Sequence, residues 1–159
     1  MVTPEIGLEI ERDFDLPRAI VWDALIDADL VAGWLAKARI EPRVGGRYDL
    51  TWLHTAATGT ITELHEPESL TVRTDTHGVI SFLLDELPGG SRGTSTRLRV
   101  VIRLAVEAAF AARVRADWMT NLDQLAGLLR GHPVDWANWD RDHGSDWTGY
   151  LARFTVAKG

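Results

Sequence analysis

The stretch VEAAFAARVRADWMTNLDQLAGLLR, residues 106–130, decides the fold. Phe110, Val114, Trp118, Leu122, Leu125 and Leu129 recur at intervals of four and three, which puts them on one face of an α-helix. Arg113, Arg115, Asp117, Asp123 and Gln124 fall off that face. Gly131 and Pro133 mark the stop, because glycine suits the turn that ends a helix and proline cannot continue one. A long helix with one apolar face needs a broad apolar surface to cover it. The rest of the chain must supply that surface.

Upstream, the period changes from helical to alternating. In IGLEIERDF, residues 6–14, Ile6, Leu8, Ile10 and Phe14 share one face while Glu9, Glu11 and Asp13 share the other. Arg12 is a charge in the apolar row. After the pair Gly45-Gly46, which suits a tight hairpin, Tyr48, Leu50 and Trp52 alternate with Arg47, Asp49 and Thr51. Further strand pairs break near Glu66-Pro67-Glu68 and near Pro88-Gly89-Gly90. In the last strand Thr96, Leu98, Val100 and Ile102 face one way, and Arg97, Arg99 and Arg103 the other. Between the first strand and the rest, Pro17 opens one short helix with Ile20, Val21, Ala24 and Leu25. A second short helix, capped by Asp27 or Asp29, carries Leu30, Val31 and Trp34.

The order is strand, two short helices, six strands, one long helix and a tail. Short turns between strands imply antiparallel pairing, and the segregation of helices from strands implies an α+β fold. The expectation is a curved antiparallel sheet wrapped around the long helix, with the two short helices at one end.

These residues resemble a known family. FDLPRAIVWDALIDADLVAGWL (residues 14–35), EPRVGGRYDLTW (41–52), GTITELHEPESLTV (59–72) and DWMTNLDQLAGLLRG (117–131) are similar to the START-like, or SRPBCC, superfamily of helix-grip proteins, whose fold is Bet v 1-like. Within it they look like the branch named after the C-terminal domain of the activator of Hsp90 ATPase. The resemblance implies a helix-grip unit over residues 1–131, with a deep cavity between sheet and long helix that often holds an apolar or amphipathic small molecule. Residues 132–159 depart from the family pattern.

Arg12, Tyr48, Trp52, Phe82 and Trp118 are the candidate ligand-binding residues, being inward-facing aromatics with one arginine to fork onto an oxygen anion. Glu63 is a candidate acid or base if buried. His54, His65 and His77 read as loop histidines, and no HExxH, phosphate loop, GxGxxG or nucleophile elbow occurs, so no metal and no cofactor is expected. Asp140, Asp142 and Asp146 imitate a calcium loop, but its glycine and final glutamate positions are Ser145 and Leu151.

Composition narrows the partners. The net charge of −6 argues against nucleic acid. The absence of cysteine removes disulfides and thiolate chemistry. No signal peptide and no membrane-length apolar run is visible, so the expected location is cytoplasmic. The expected partner is a small hydrophobic molecule, with a protein partner or homodimer left open. Binding, a cyclase-, hydratase- or hydrolase-like activity on a polyketide- or lipid-like compound, and an Hsp90-activator-like interaction module remain as alternatives.

The tail holds Trp136, Trp139 and Trp147 of the chain's seven tryptophans, together with Tyr150 and Phe154. So many aromatics argue against disorder. The tail is expected to pack back on the helix-grip unit as a cover, whether lid or clasp. Its second half fits either a helix or an extended segment.

Overall fold

The computed structural model describes residues 5–52 and 54–156. The outer ends of the two segments expected above, 1–4 and 157–159, lie outside them.

The strands are β1 (Glu5–Phe14), β2 (Lys37–Ile40), β3 (Tyr48–Thr51), β4 (Ala56–Ala57), β5 (Gly59–His65), β6 (Ser69–Thr74), β7 (Val79–Pro88) and β8 (Thr94–Ala105). The helices are α1 (Arg18–Ile26), α2 (Ala28–Val31), α3 (Ala111–Leu129) and α4 (Trp139–Val156). One antiparallel sheet runs β1-β8-β7-β6-β5 and a smaller one runs β2-β3-β4. A bridge between Arg47 and Thr60 links the two. This is the helix-grip α+β architecture.

Alternation sets the inner face. Leu8 and Ile10 of β1 stand opposite Ile102 and Val100 of β8, which in turn oppose Ile80 and Phe82 of β7. All six are buried. Trp118, Leu122 and Leu125 of α3 close over this surface and complete the core. Each buried aliphatic of this kind contributes roughly 1.5–3 kcal/mol. The outer face carries ion pairs, with Arg97 on Asp13 at 2.9 Å and Arg99 on Asp85 at 3.4 Å.

Three features differ from the sequence reading, and a fourth settles an alternative it left open. Seven strands, not six, follow the short helices among the described residues, because the two-residue β4 carries too little pattern to read. Phe110 is 47% exposed, not part of the apolar face. It ends a 3-10 turn, Ala108–Phe110, and α3 begins after it, so the helical register does not extend back to it. Glu63 is exposed and accepts a hydrogen bond from the Thr71 hydroxyl at 3.3 Å, so it is no buried acid. The tail from Trp139 is one α-helix, preceded by a 3-10 turn at Trp136–Asn138.

Turn chemistry fixes the ends. Asp27 caps α2, its Oδ1 accepting from the Asp29 N–H at 2.9 Å. Gly78 closes the β6–β7 hairpin at φ +73°, where an L side chain is strained and a Cβ would collide with the Arg103 carbonyl. That hairpin presents His77.

Candidate functional site

Local pattern brings the inward aromatics to the helix–sheet interior, where each meets a different partner. Phe82 on β7 and Trp118 on α3 meet edge to face, with ring centroids 6.0 Å apart. Tyr48 at the start of β3 is fully buried and donates its hydroxyl to the Leu25 carbonyl at 2.6 Å. Burial pushes its phenol above the ordinary range. Trp52, just past β3, is half-buried and donates its indole N–H to the Leu35 carbonyl at 3.0 Å. Its ring stacks on His77, with centroids 4.8 Å apart. Arg12 stands apart from these rings: it pairs with Asp123 of α3 at 2.8 Å. Asp123 also accepts from the Tyr150 hydroxyl at 2.6 Å.

His77 and Asp117 were not among the sequence candidates. The His77 Nδ1 lies 2.8 Å from the Thr76 hydroxyl, and its backbone N–H donates to the Thr74 hydroxyl at 2.8 Å. The hairpin and the Trp52 stack therefore hold the ring from two sides. Burial pushes the imidazole below its ordinary pKa, against the opposing charges of Asp117 and Asp75. Asp117, one residue before Trp118, accepts the Trp147 indole N–H at 2.7 Å. Asp117 is exposed, and partial desolvation raises its carboxyl above the usual range. The Trp147 hydrogen bond, His77 and Arg113 pull the other way. Of these two titratable groups, His77 borders Trp52, and Asp117 faces Trp147 of the tail. Sequence offered a weak signal at most: Trp52 and His77 both sit at strand ends, but their pairing needs the two sheets to meet.

The tail's aromatics explain the polar residues on the far side of α3. Trp139 donates to Gln124 Oε1 at 2.7 Å. Gln124, 2% exposed, passes its Nε2 hydrogen to the Trp34 carbonyl at 2.6 Å. Trp136 donates to the Ala32 carbonyl at 2.8 Å, and the Val134 N–H donates to the Gly33 carbonyl at 2.9 Å. With Trp147 on Asp117 and Tyr150 on Asp123, the tail ties α3 to the end of α2. Burying Gln124 costs little because both ends of its amide are satisfied.

Two surface hollows lie elsewhere. One of about 400 Å³ is lined by Arg18, Glu68, Ser69, Leu83, Asp85 and Arg99 among others. One of about 300 Å³ is lined by Lys37, Ala38, Arg39, Asp49 and Thr51. Neither is bordered by Arg12, Tyr48, Trp52, Phe82 or Trp118. Among the described residues no helix is long and apolar enough to cross a membrane, and no group of three or more ligating side chains forms a metal site.

A sheet gripping one long helix defines the class, a helix-grip α+β protein. The profile of the family described as "Activator of Hsp90 ATPase homolog 1-like protein" matches residues 15–130, and the chain belongs to that family. The match ends before the tail. Solved structures agree on the fold. A conserved protein of unknown function from Enterococcus faecalis is 23% identical, with TM-score 0.71 over 96% of this chain and 86% of that one. The Aha1 dimer from Colwellia psychrerythraea is 16% identical, with TM-score 0.67 over 78% of this chain and 96% of that one. DynU16, a putative protein in the dynemicin biosynthetic locus, is 18% identical, with TM-score 0.66 over 80% of this chain and 48% of that one. No curated protein matches the chain.

Proposed function

We propose that this chain binds a small hydrophobic or amphipathic molecule between the five-stranded sheet and α3, against Trp52, Phe82 and Trp118. Tyr48 supplies ring surface deeper in. Arg12 reaches a ligand only where Asp123 is displaced from it. The observation that carries this reading is the aromatic surface between sheet and helix, where Phe82 of β7 meets Trp118 of α3, with Trp52, just past β3, packed at the edge of the same core. Ligand sites are mostly apolar with a few placed polar groups. The interior is packed in this structure, so uptake requires α3 or the β6–β7 hairpin to shift from its neighbours.

The reading is tested by titrating the protein with N-phenylnaphthylamine, an uncharged dye that brightens in apolar surroundings. Saturable one-to-one brightening that is lost on denaturation is expected. A linear rise without saturation would contradict it.

An enzyme reading, with a cyclase-, hydratase- or hydrolase-like step on a polyketide- or lipid-like compound, is favoured by one observation. His77 and Asp117 have pKa values displaced toward each other, which suits general acid–base work. Nothing comparable favours an interaction module. The exposed large apolar side chains Val44, Phe110 and Trp136 lie on separate turns, the last two flanking opposite ends of α3.

A further inference from the structure

We propose that the hollow between the start of α1 and the outer face of β6, β7 and β8 binds an oxyanion head, a carboxylate or a phosphate, carried on a polar molecule. It lies apart from the interior aromatics and does not rest on the reading above.

The hollow is built on a row across three strands. Ser69 of β6 stands opposite Leu83 of β7, and Leu83 opposite Arg99 of β8. The neighbours Leu70, Leu84 and Leu98 are buried on the inner side, so this row faces out. Arg18 at the start of α1, Glu68 just before β6, and Asp85 close the sides around about 400 Å³.

Two guanidinium groups thus enter one concave space, and neither makes a hydrogen bond among the described residues. The carboxylates near them stand off: Glu68 is 3.9 Å from Arg18, and Glu9 and Asp85 are 3.8 Å and 3.4 Å from Arg99. Charge-assisted hydrogen bonds run at about 2.7–2.9 Å, so these are loose ion pairs. Among the described residues, Arg99 Nε is the only buried side-chain nitrogen or oxygen that makes no hydrogen bond. An unmade buried donor is destabilising, more so on a charged group. The Ser69 hydroxyl makes none either among the described residues.

Cations and acids differ in how firmly they are held. The Arg18 and Arg99 side chains are 25% and 34% exposed, while Glu68, Glu9 and Asp85 are each more than half exposed. Packing along their stems fixes the arginines, and water competes for the acids. An oxyanion entering the hollow can put two oxygens on the Arg99 fork, with Arg18 and Ser69 as further donors. A lone cation would find only the loose acids and would be repelled by both arginines. One water takes about 30 Å³, so the hollow has room beyond an oxyanion for the body that carries it. Glu68 and Asp85 can accept from hydroxyls on that body.

The test follows the arginine Nε–H resonances of isotope-labelled protein while sodium phosphate or sodium acetate is added at constant ionic strength. Sodium chloride is the screening control. Saturable movement of the Arg18 and Arg99 signals is expected with at least one of the two oxyanions and not with chloride, and the tighter binder identifies the head. Arg99→Gln should weaken that binding by about tenfold or more, with the backbone spectrum unchanged. Asp85→Asn removes a competing carboxylate and should tighten it about two- to fivefold, a gain that damage to the fold does not produce. Movement no different from that with chloride overturns the proposal. So does an Asp85→Asn variant that binds no more tightly than wild type, or an Arg99→Gln variant that keeps wild-type affinity.

Discussion

Trp34→Ala is expected to lower the unfolding free energy by about 3–5 kcal/mol, read from urea denaturation at constant slope. Trp34 is completely buried. Its indole N–H donates to the Ala24 carbonyl at 2.7 Å, and its own carbonyl accepts from Gln124. One residue thus joins α1 through its side chain, and α3 and the tail through its main-chain carbonyl and Gln124. Truncation opens a cavity at that junction and leaves the Ala24 carbonyl without its partner, so both penalties act together. A loss below about 1 kcal/mol would mean that the junction repacks freely, contrary to the geometry described.

Trp118→Ala is the second large effect, with an expected loss of about 3–5 kcal/mol. The ring is buried on α3 and meets Phe82 edge on, a contact worth about 0.5–1.5 kcal/mol beyond its area. Its ligand role is separable from its packing role. If Trp118 lines the site, affinity for N-phenylnaphthylamine measured on the folded variant should also fall. A large stability loss with unchanged dye affinity would make it ordinary core. The two measurements therefore decide between roles that burial alone leaves entangled.

The parts legible in sequence are those governed by local period. Leu8 and Ile10 in β1, and Leu98, Val100 and Ile102 in β8, show their inner face by alternation because each strand has one wet side. Trp118, Leu122 and Leu125 show theirs by helical spacing. Phe110 fits the same spacing but lies ahead of the helix start, and spacing carries no information about where a helix begins.

The tail was harder for a tertiary reason. Gly144 and Gly149 weaken α4 as an isolated helix, and its residues include several charges. It has an aromatic face nonetheless: Trp139, Trp147, Tyr150 and Phe154 follow helical spacing. The face is anchored by Asp117, Asp123 and Gln124 of α3, residues that by pattern belong to a solvated surface. Indole and phenol groups need a polar partner when they pack, so a polar helix face suits them.

The candidate site divides along the same line. Trp52, Phe82 and Trp118 follow from inward-facing pattern. His77 becomes a neighbour of Trp52 only when the β6–β7 hairpin approaches the end of β3, and Asp117 finds Trp147 only when the tail packs on α3.

The most direct measurement is native mass spectrometry of freshly purified protein beside a denatured control, repeated after adding saturating N-phenylnaphthylamine. An extra non-covalent mass that vanishes on denaturation, or a one-to-one adduct with the dye, is expected. A bare chain mass in both samples would contradict ligand binding in the helix–sheet interior.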